Sequence, residues 1–193
     1  STTEFSSIQG VGRDAAGNLY VGGRFTGTAD VDPGPSEVLL TSTAGSQDAY
    51  IASYTSAGVL RWVQQFGDTG SDDVLDIEVT ASGNVFAVGA FAGTVVFDSG
   101  AGSASFVADG PRDNYLLRLN SDGGLVASGS FGGDTSDIAL DSDGNLVLTG
   151  SYTRTADIDP SPGTFFLPDA GSTGNGNSFY LKLNPNLHFV WAK

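Results

Sequence analysis

The 193-residue chain has no cysteine, no methionine and a single histidine. The lack of cysteine removes disulfides, thiol catalysis and cysteine-ligated zinc together. The lack of an initiator methionine implies a processed form or a piece of something larger. No signal-like segment and no run of eighteen or more apolar residues is present, so the chain as given is expected to be soluble. Basic residues are scarce: 8 Lys and Arg stand against 22 Asp and Glu, a formal charge of −14. That balance argues against nucleic acid and against anionic membrane surfaces. Its plainest use is solubility outside the cell. The one histidine, His188, lies beside the aromatic stretch Phe189 to Trp191 and reads as a surface strand residue, not a general base. Sustained 3.6-residue apolar periodicity with caps is also missing, so little or no helix is expected.

What is present is a threefold repeat. NLYVGGRF from Asn18, NVFAVGAF from Asn84 and NLVLTGSY from Asn145 match position for position, spaced 66 and 61 residues apart. Each follows a glycine (Gly17, Gly83, Gly144), carries another in its sixth position (Gly23, Gly89, Gly150) and an aromatic in its eighth (Phe25, Phe91, Tyr152). A second block runs without gaps from Asp48, Asp113 and Asn177 to Trp62, Ala127 and Trp191. A weaker block precedes the Gly-Asn pairs, with Ile8 and Val11, Val74 and Ile77, and Ile138 and Leu140 as its apolar positions. Two units close with Phe-Gly, at Phe66-Gly67 and Phe131-Gly132. The chain therefore tiles as residues 1–67, 68–132 and 133–193, stacked copies of one supersecondary unit.

The runs in each unit are short, rich in β-branched and aromatic residues, and separated by Gly, Asn, Asp and Ser, the pattern of strands joined by turns. Central runs such as LYVGG and VFAVGAF are apolar at consecutive positions, as expected of strands covered on both faces. Four such runs per unit predict an all-β protein, a β-propeller of four-stranded antiparallel blades with three blades in this chain. The 28 glycines, with abundant Ser, Thr, Asp and Asn, suit a loop-rich secreted β protein.

These motifs resemble the bacterial seven-bladed β-propeller (SBBP) repeat family. The likeness rests on an Asp-rich first strand, the Gly-Asn-aliphatic-aromatic-x-x-Gly run, Asp-Ala-Tyr at Asp48, and a strand ending in Trp and Phe-Gly. DVDPGP (Asp30 to Pro35) and DIDPSPG (Asp157 to Gly163) look like the family's Asp-x-Asp-Pro segment, which the middle unit replaces by VFDSGAG. The third unit has Asn177-Ser178 for Asp-Ala. The resemblance covers essentially the whole chain. It implies an extracellular or cell-surface bacterial propeller and brings no catalytic residues.

Closed propellers typically have at least four blades. Three blades leave apolar end faces that a soluble monomer does not normally expose. The expected partners are therefore a second copy closing a ring, or further blades of a longer parent or partner protein.

Candidate site residues are few. Asp30 with Asp32, and Asp157 with Asp159, set carboxylates at i and i+2, which point the same way on an extended strand and suit a hard cation such as Ca²⁺. The middle unit keeps only Asp98, with Val96 before it. The alternative is that these acids make turns ahead of the prolines. Asp141 to Asn145 looks like the start of an EF-hand loop, but Tyr152 stands where the glutamate is required, so it is read as a turn. The equivalent turns around Ala16 and Ser82 are read as lacking both carboxylates. Asp48 and Asp113 suit a repeated structural hydrogen bond that Asn177 can also accept. Trp62 and Trp191 are candidate stacking platforms for carbohydrate, although such aromatics also pack between blades. Enzymatic function is not expected; a two-carboxylate hydrolase would require choosing one pair among 22 acids with no reason to prefer it. The expected function is a non-catalytic extracellular scaffold for protein contact, with a carbohydrate-binding propeller as the alternative.

Overall fold

The computed structural model describes residues 5–152, 155–168 and 176–193. The first unit starts with β1 (Phe5–Arg13) and β2 (Leu19–Thr26). A short hairpin follows, β3 (Thr28–Asp30) and β4 (Leu39–Thr41), and then β5 (Gln47–Tyr54) and β6 (Leu60–Phe66). The second unit repeats that order with β7 (Asp73–Val79), β8 (Val85–Phe91), the hairpin β9 (Thr94–Asp98) and β10 (Ser103–Val107), β11 (Asp113–Leu119) and β12 (Leu125–Phe131). The third does so with β13 (Asp134–Leu140), β14 (Leu146–Tyr152), the hairpin β15 (Ala156–Asp157) and β16 (Phe166–Leu167), β17 (Asn177–Leu183) and β18 (Phe189–Ala192). The result is three four-stranded antiparallel sheets in a repeated arrangement, each a meander of its own unit, with each hairpin forming a separate two-stranded sheet. The only helical segment among the described residues is a 3₁₀ turn at Thr43–Gly45.

The hairpins were not legible as strands, because their runs are two to five residues long and lie inside what reads as variable loop. The register also corrects one alignment. Each first strand carries a bulge, and pairing sets Ile8, Val74 and Thr135 in one position and Val11, Ile77 and Ile138 in another. Ile138 and Leu140 are thus not the counterparts of Ile8 and Val11. The buried Thr135 occupies the first place, and a polar residue there hid the repeat.

The sheets stack face to face in chain order, so each has a forward face toward the next unit and a backward face toward the preceding one. The seam between the first two is filled by Tyr20 and Ile51 from one side and Val85, Ala87, Tyr115 and Leu117 from the other, all buried. The next seam repeats it with Phe86, Val88 and Leu116 against Leu146, Leu148 and Leu181. Each hairpin lies on the backward face of its own sheet: Val95 and Phe97 enter the first seam, and Ile158 and Leu167 the second. In the first unit the same face forms its own small cluster, Phe25, Leu40, Tyr50 and Ala52. Full burial of such side chains stabilises by about 1.5–3 kcal/mol each, so the seams carry most of the fold's stability.

Among the described residues, only the middle unit has a neighbouring unit on both sides. Every residue of β8 is buried, as its unbroken apolar run predicts. In β14 buried and partly exposed positions alternate, and β2 likewise has an exposed Leu19 and half-buried Val21. The expectation of two-sided cover thus holds for VFAVGAF and not for the LYVGG run.

The sixth-position glycine has a steric cause. The bulged first strand swings its backbone against the second, and a Cβ at Gly23, Gly89 or Gly150 would lie 1.9, 2.0 or 2.4 Å from the carbonyl oxygen of Ser7, Asp73 or Asp134. No side chain fits there.

Candidate functional site

Several side-chain donors reach across the seams. In the first, Trp62 lies against the turn that joins β11 to β12 and donates its indole N–H to the carbonyl of Ser121 at 2.9 Å. Arg61 donates to that same carbonyl at 3.3 Å and to Ser53 Oγ at 2.8 Å, while Gln64 reaches the carbonyl of Gly123. In the second seam Arg118 donates to the carbonyl of Pro185 and to Asn186 Oδ1, both at 2.9 Å. Ser121 and Pro185 are the same position of the repeated turn. Two different cations, from two different strand positions, thus reach one equivalent backbone oxygen.

Trp62 and Trp191 occupy equivalent places, paired with Ser53 and Lys182 on the forward faces of their sheets. Trp62 is half-buried, with its ring against Gly123 and 6.0 Å from that of Tyr20. Trp191 lies on the forward face of the third sheet and is exposed. The structure therefore does not bring the two together, and it commits the polar edge of Trp62 to the seam.

The paired acids sit in the hairpins. Asp30 Oδ1 accepts the backbone N–H groups of Asp32 and Val38, and Asp157 Oδ1 those of Asp159 and Phe165. Asp32, Asp98 and Asp159 each accept the N–H two residues on, from Gly34, Gly100 and Ser161. Each carboxylate thus closes its own turn through one oxygen. No group of three His, Cys, Asp or Glu able to hold a metal ion occurs among the described residues. Millimolar CaCl₂ or EDTA is accordingly expected to move the melting temperature by less than about 1 °C, since a ligand that binds only the native state must raise it. A clear rise that saturates with Ca²⁺ would reinstate a calcium site at these residues.

The EF-hand-like segment is a turn, and its counterparts need one correction. Asp14 stands where Asp141 does. It accepts from the backbone and side-chain nitrogens of Asn18 as Asp141 does from those of Asn145; Thr80 takes the place in the middle unit, accepting from Asn84 N. The first carboxylate is therefore present in two turns of three. Burial works against ionisation of Asp14, but the Asn18 bonds prevail and hold its carboxyl below the ordinary value. Asp141 is held lower still, first by Lys182, 2.8 Å away, and then by Asn145.

His188 is exposed in the turn before β18 and not within the strand; its N–H bonds Asn184 Oδ1. Asp48 and Asp113 make the repeated structural bond expected of them, accepting the N–H of Thr43 and of Asp109 from the preceding loop.

Two acidic clusters escaped the sequence. At the rim of the first seam Asp73 is buried and paired with Arg24, 3.3 Å away, and with Arg112, beside the equally buried Asp72 and Asp48. Asp72 is pushed up to about 7 by burial, with the charges of Asp48, Asp73 and Asp68 adding to the rise. On the first strands, Asp76 and Asp137 meet across the second seam, both accepting from Ile138 N. Burial and the hydrogen bond to Asp137 raise Asp76 to about 6. Neither cluster recurs in all units: Gly10 stands at the position of Asp76, and Ser6 and Gly133 at that of Asp72, so repetition gave no cue. A cleft of about 610 Å³ also opens between the second and third units, with Asp109, Arg112, Asp134, Tyr152 and Phe166 in its walls.

No family model and no curated protein matches this chain.

The site chemistry therefore rests on the geometry alone. Arg24, Arg61, Arg118 and Trp62 serve contacts between units, as do Asp73 and Asp76, and the hairpin acids serve turns.

Proposed function

We propose that the chain is a non-catalytic β-propeller module of SBBP type, working outside the cell as a rigid scaffold for protein contact. Three like sheets stacked through side chains, each a four-strand meander, are what propeller blades look like before a ring is closed. The observation that carries the scaffold reading is the state of the two end faces. Ile8 and Val11 are 60% and 69% exposed on the first blade, whereas their counterparts Val74 and Ile77 are at most 3% exposed in a seam. Apolar side chains kept at seam positions without a neighbour mark a surface for a protein partner.

The acids do not favour hydrolysis. Asp76 and Asp137 both accept from the backbone N–H of Ile138 inside a seam, whereas glycosidase carboxylates flank an open sugar site at roughly 5–9 Å. For the carbohydrate alternative, Trp191 remains as an open aromatic platform while Trp62 is spent in the seam. The deciding experiment is a glycan array together with tryptophan fluorescence under saccharide titration and a chromogenic glycosidase and peptidase panel. No array hit, no fluorescence change and no turnover is the expected result. A saturable saccharide signal lost in Trp191→Ala, or turnover lost in Asp76→Asn, would replace the scaffold by a lectin or a hydrolase.

A further inference from the structure

We propose that the two end faces are the two halves of a third seam, and that its occupant is a second copy of this chain docked head to tail. Resting on the scaffold reading, this names the partner and the contact. The internal seams supply the template. Each needs an apolar forward face, a cation or indole N–H reaching across, and a backward face bearing a hairpin and a turn whose second carbonyl is the acceptor.

The forward face of the third blade carries the donor half. Cross-strand pairing sets Val147, Thr149, Tyr180, Lys182 and Trp191 on that face, at the positions that Tyr20, Gly22, Ile51, Ser53 and Trp62 hold in the first seam. Tyr180 is 55% exposed, whereas its equivalents Ile51 and Leu116 are fully buried. Trp191 repeats the indole that bonds Ser121, and Lys182 repeats Arg118, which bonds Pro185. Lys182 is paired with Asp141 on its own sheet, which holds the ammonium on the forward side.

The backward face of the first blade carries the acceptor half. Its turn from Thr55 to Val59 has the hydrogen bonds of its equivalents: Gly58 N bonds Thr55 O as Gly123 N bonds Asn120 O. Ser56 stands at the position of Ser121 and Pro185. A Cβ at Gly123 would strike the Trp62 ring at 2.9 Å, whereas nothing lies within 4 Å of one at Gly58. The indole seat at Gly58 is open. On the same face Ile8, Val11 and Leu19 are exposed, although the residues equivalent to Leu19, Val85 and Leu146, are fully buried. The hairpin of β3 and β4 already lies in place on this face, as its counterparts do inside the seams.

One end therefore has an indole and an ammonium without a turn, and the other has a turn without an indole. The contact is heterologous; it closes a ring where the rotation returns to its start, and the smallest such ring, two copies and six blades, is the assembly proposed. A short bismaleimide tests it in this cysteine-free chain, with Ala57→Cys and Lys193→Cys (the position of Gln64, which reaches Gly123 in the first seam) made separately and together, alongside light scattering after size exclusion. The expected mass is twice 19.7 kDa, reduced to one chain by Val11→Asp with unchanged far-UV circular dichroism. A mixture of the two single-cysteine variants should cross-link while neither does alone. A single-chain mass up to about 1 mM, the scale of a barely formed contact, would overturn the proposal and leave the face to further blades of a longer chain or to a different protein. Cross-linking within Lys193→Cys alone would also overturn it, since that is a face-to-face dimer. A monomer with clean saccharide and hydrolase panels sinks only this docking. A saccharide hit on an intact dimer sinks only the scaffold reading.

Discussion

Gly89→Ala is expected to destabilise the protein by at least about 3 kcal/mol, a loss of roughly 10 °C in melting temperature. The methyl group would lie 2.0 Å from the carbonyl oxygen of Asp73 and 2.1 Å from Cζ and the hydroxyl of Tyr115. Neither can retreat. Tyr115 is fully buried among Phe66, Phe91 and Phe97, and its hydroxyl donates to that same Asp73 carbonyl at 2.6 Å. Moving the ring breaks a buried hydrogen bond and opens a void; moving the strand breaks the bulge that aims Asp73 at its two arginines. Gly110→Ala is the control, because nothing lies within 4 Å of a Cβ there, and a change within about 0.5 kcal/mol is expected. Equal melting temperatures for the two variants would mean that the close approach of first and second strands is not what keeps glycine in the repeat.

Lowering the pH from 8 to 5 is expected to raise the melting temperature by roughly 5 °C, the reverse of ordinary acid destabilisation. Burial lifts Asp72 to about 7 from the 3.8 of an unhindered aspartate. Between those values the folded chain holds a proton that the unfolded chain has released. Stability therefore grows as pH falls through 7 and levels off near 4. Asp76, raised to about 6, adds in the same direction. Asp14 and Asp141, whose carboxyls are depressed, work the other way, but only once the pH falls below the unfolded value. Asp72→Asn keeps an acceptor for the Asp68 N–H and should raise the melting temperature at pH 8 while flattening the profile. A wild-type protein that melts no lower at pH 8 than at pH 5 would show that Asp72 is not held neutral in the fold.

The sheets were legible because their signals are local and repeated. Gly-Asn turns, the sixth glycine and the run of seven buried residues in β8 each follow from backbone sterics or two-sided burial, and each recurs at a fixed spacing. The hairpins were not, since two- and three-residue strands such as β15 and β3 gain their form from packing on a neighbouring sheet. The site was legible only in part. Trp62 stood out by its rarity, but its partner is a carbonyl, Ser121 O, and no side chain advertises a carbonyl. Arg61 and Arg118 serve the same acceptor position from different strands, so alignment of the repeats separates residues that the fold makes equivalent. The Asp76–Asp137 contact joins residues from successive units, a relation visible only once the sheets are stacked.

Among the described residues few backbone hydrogen bonds cross between units: Ala15 N to Ala81 O, Asp72 N to Gln47 O and Gly132 N to Asp157 O. The rest of what joins one unit to the next runs through side chains: apolar packing of facing sheets, the Arg24–Asp73 pair, and donors and acceptors that reach a neighbour's backbone. An in-frame duplication or deletion of one whole unit therefore leaves every strand pairing in the remaining units untouched. The length of such a protein can drift by single steps during evolution, and the penalty for each step falls on the two surfaces left at the ends.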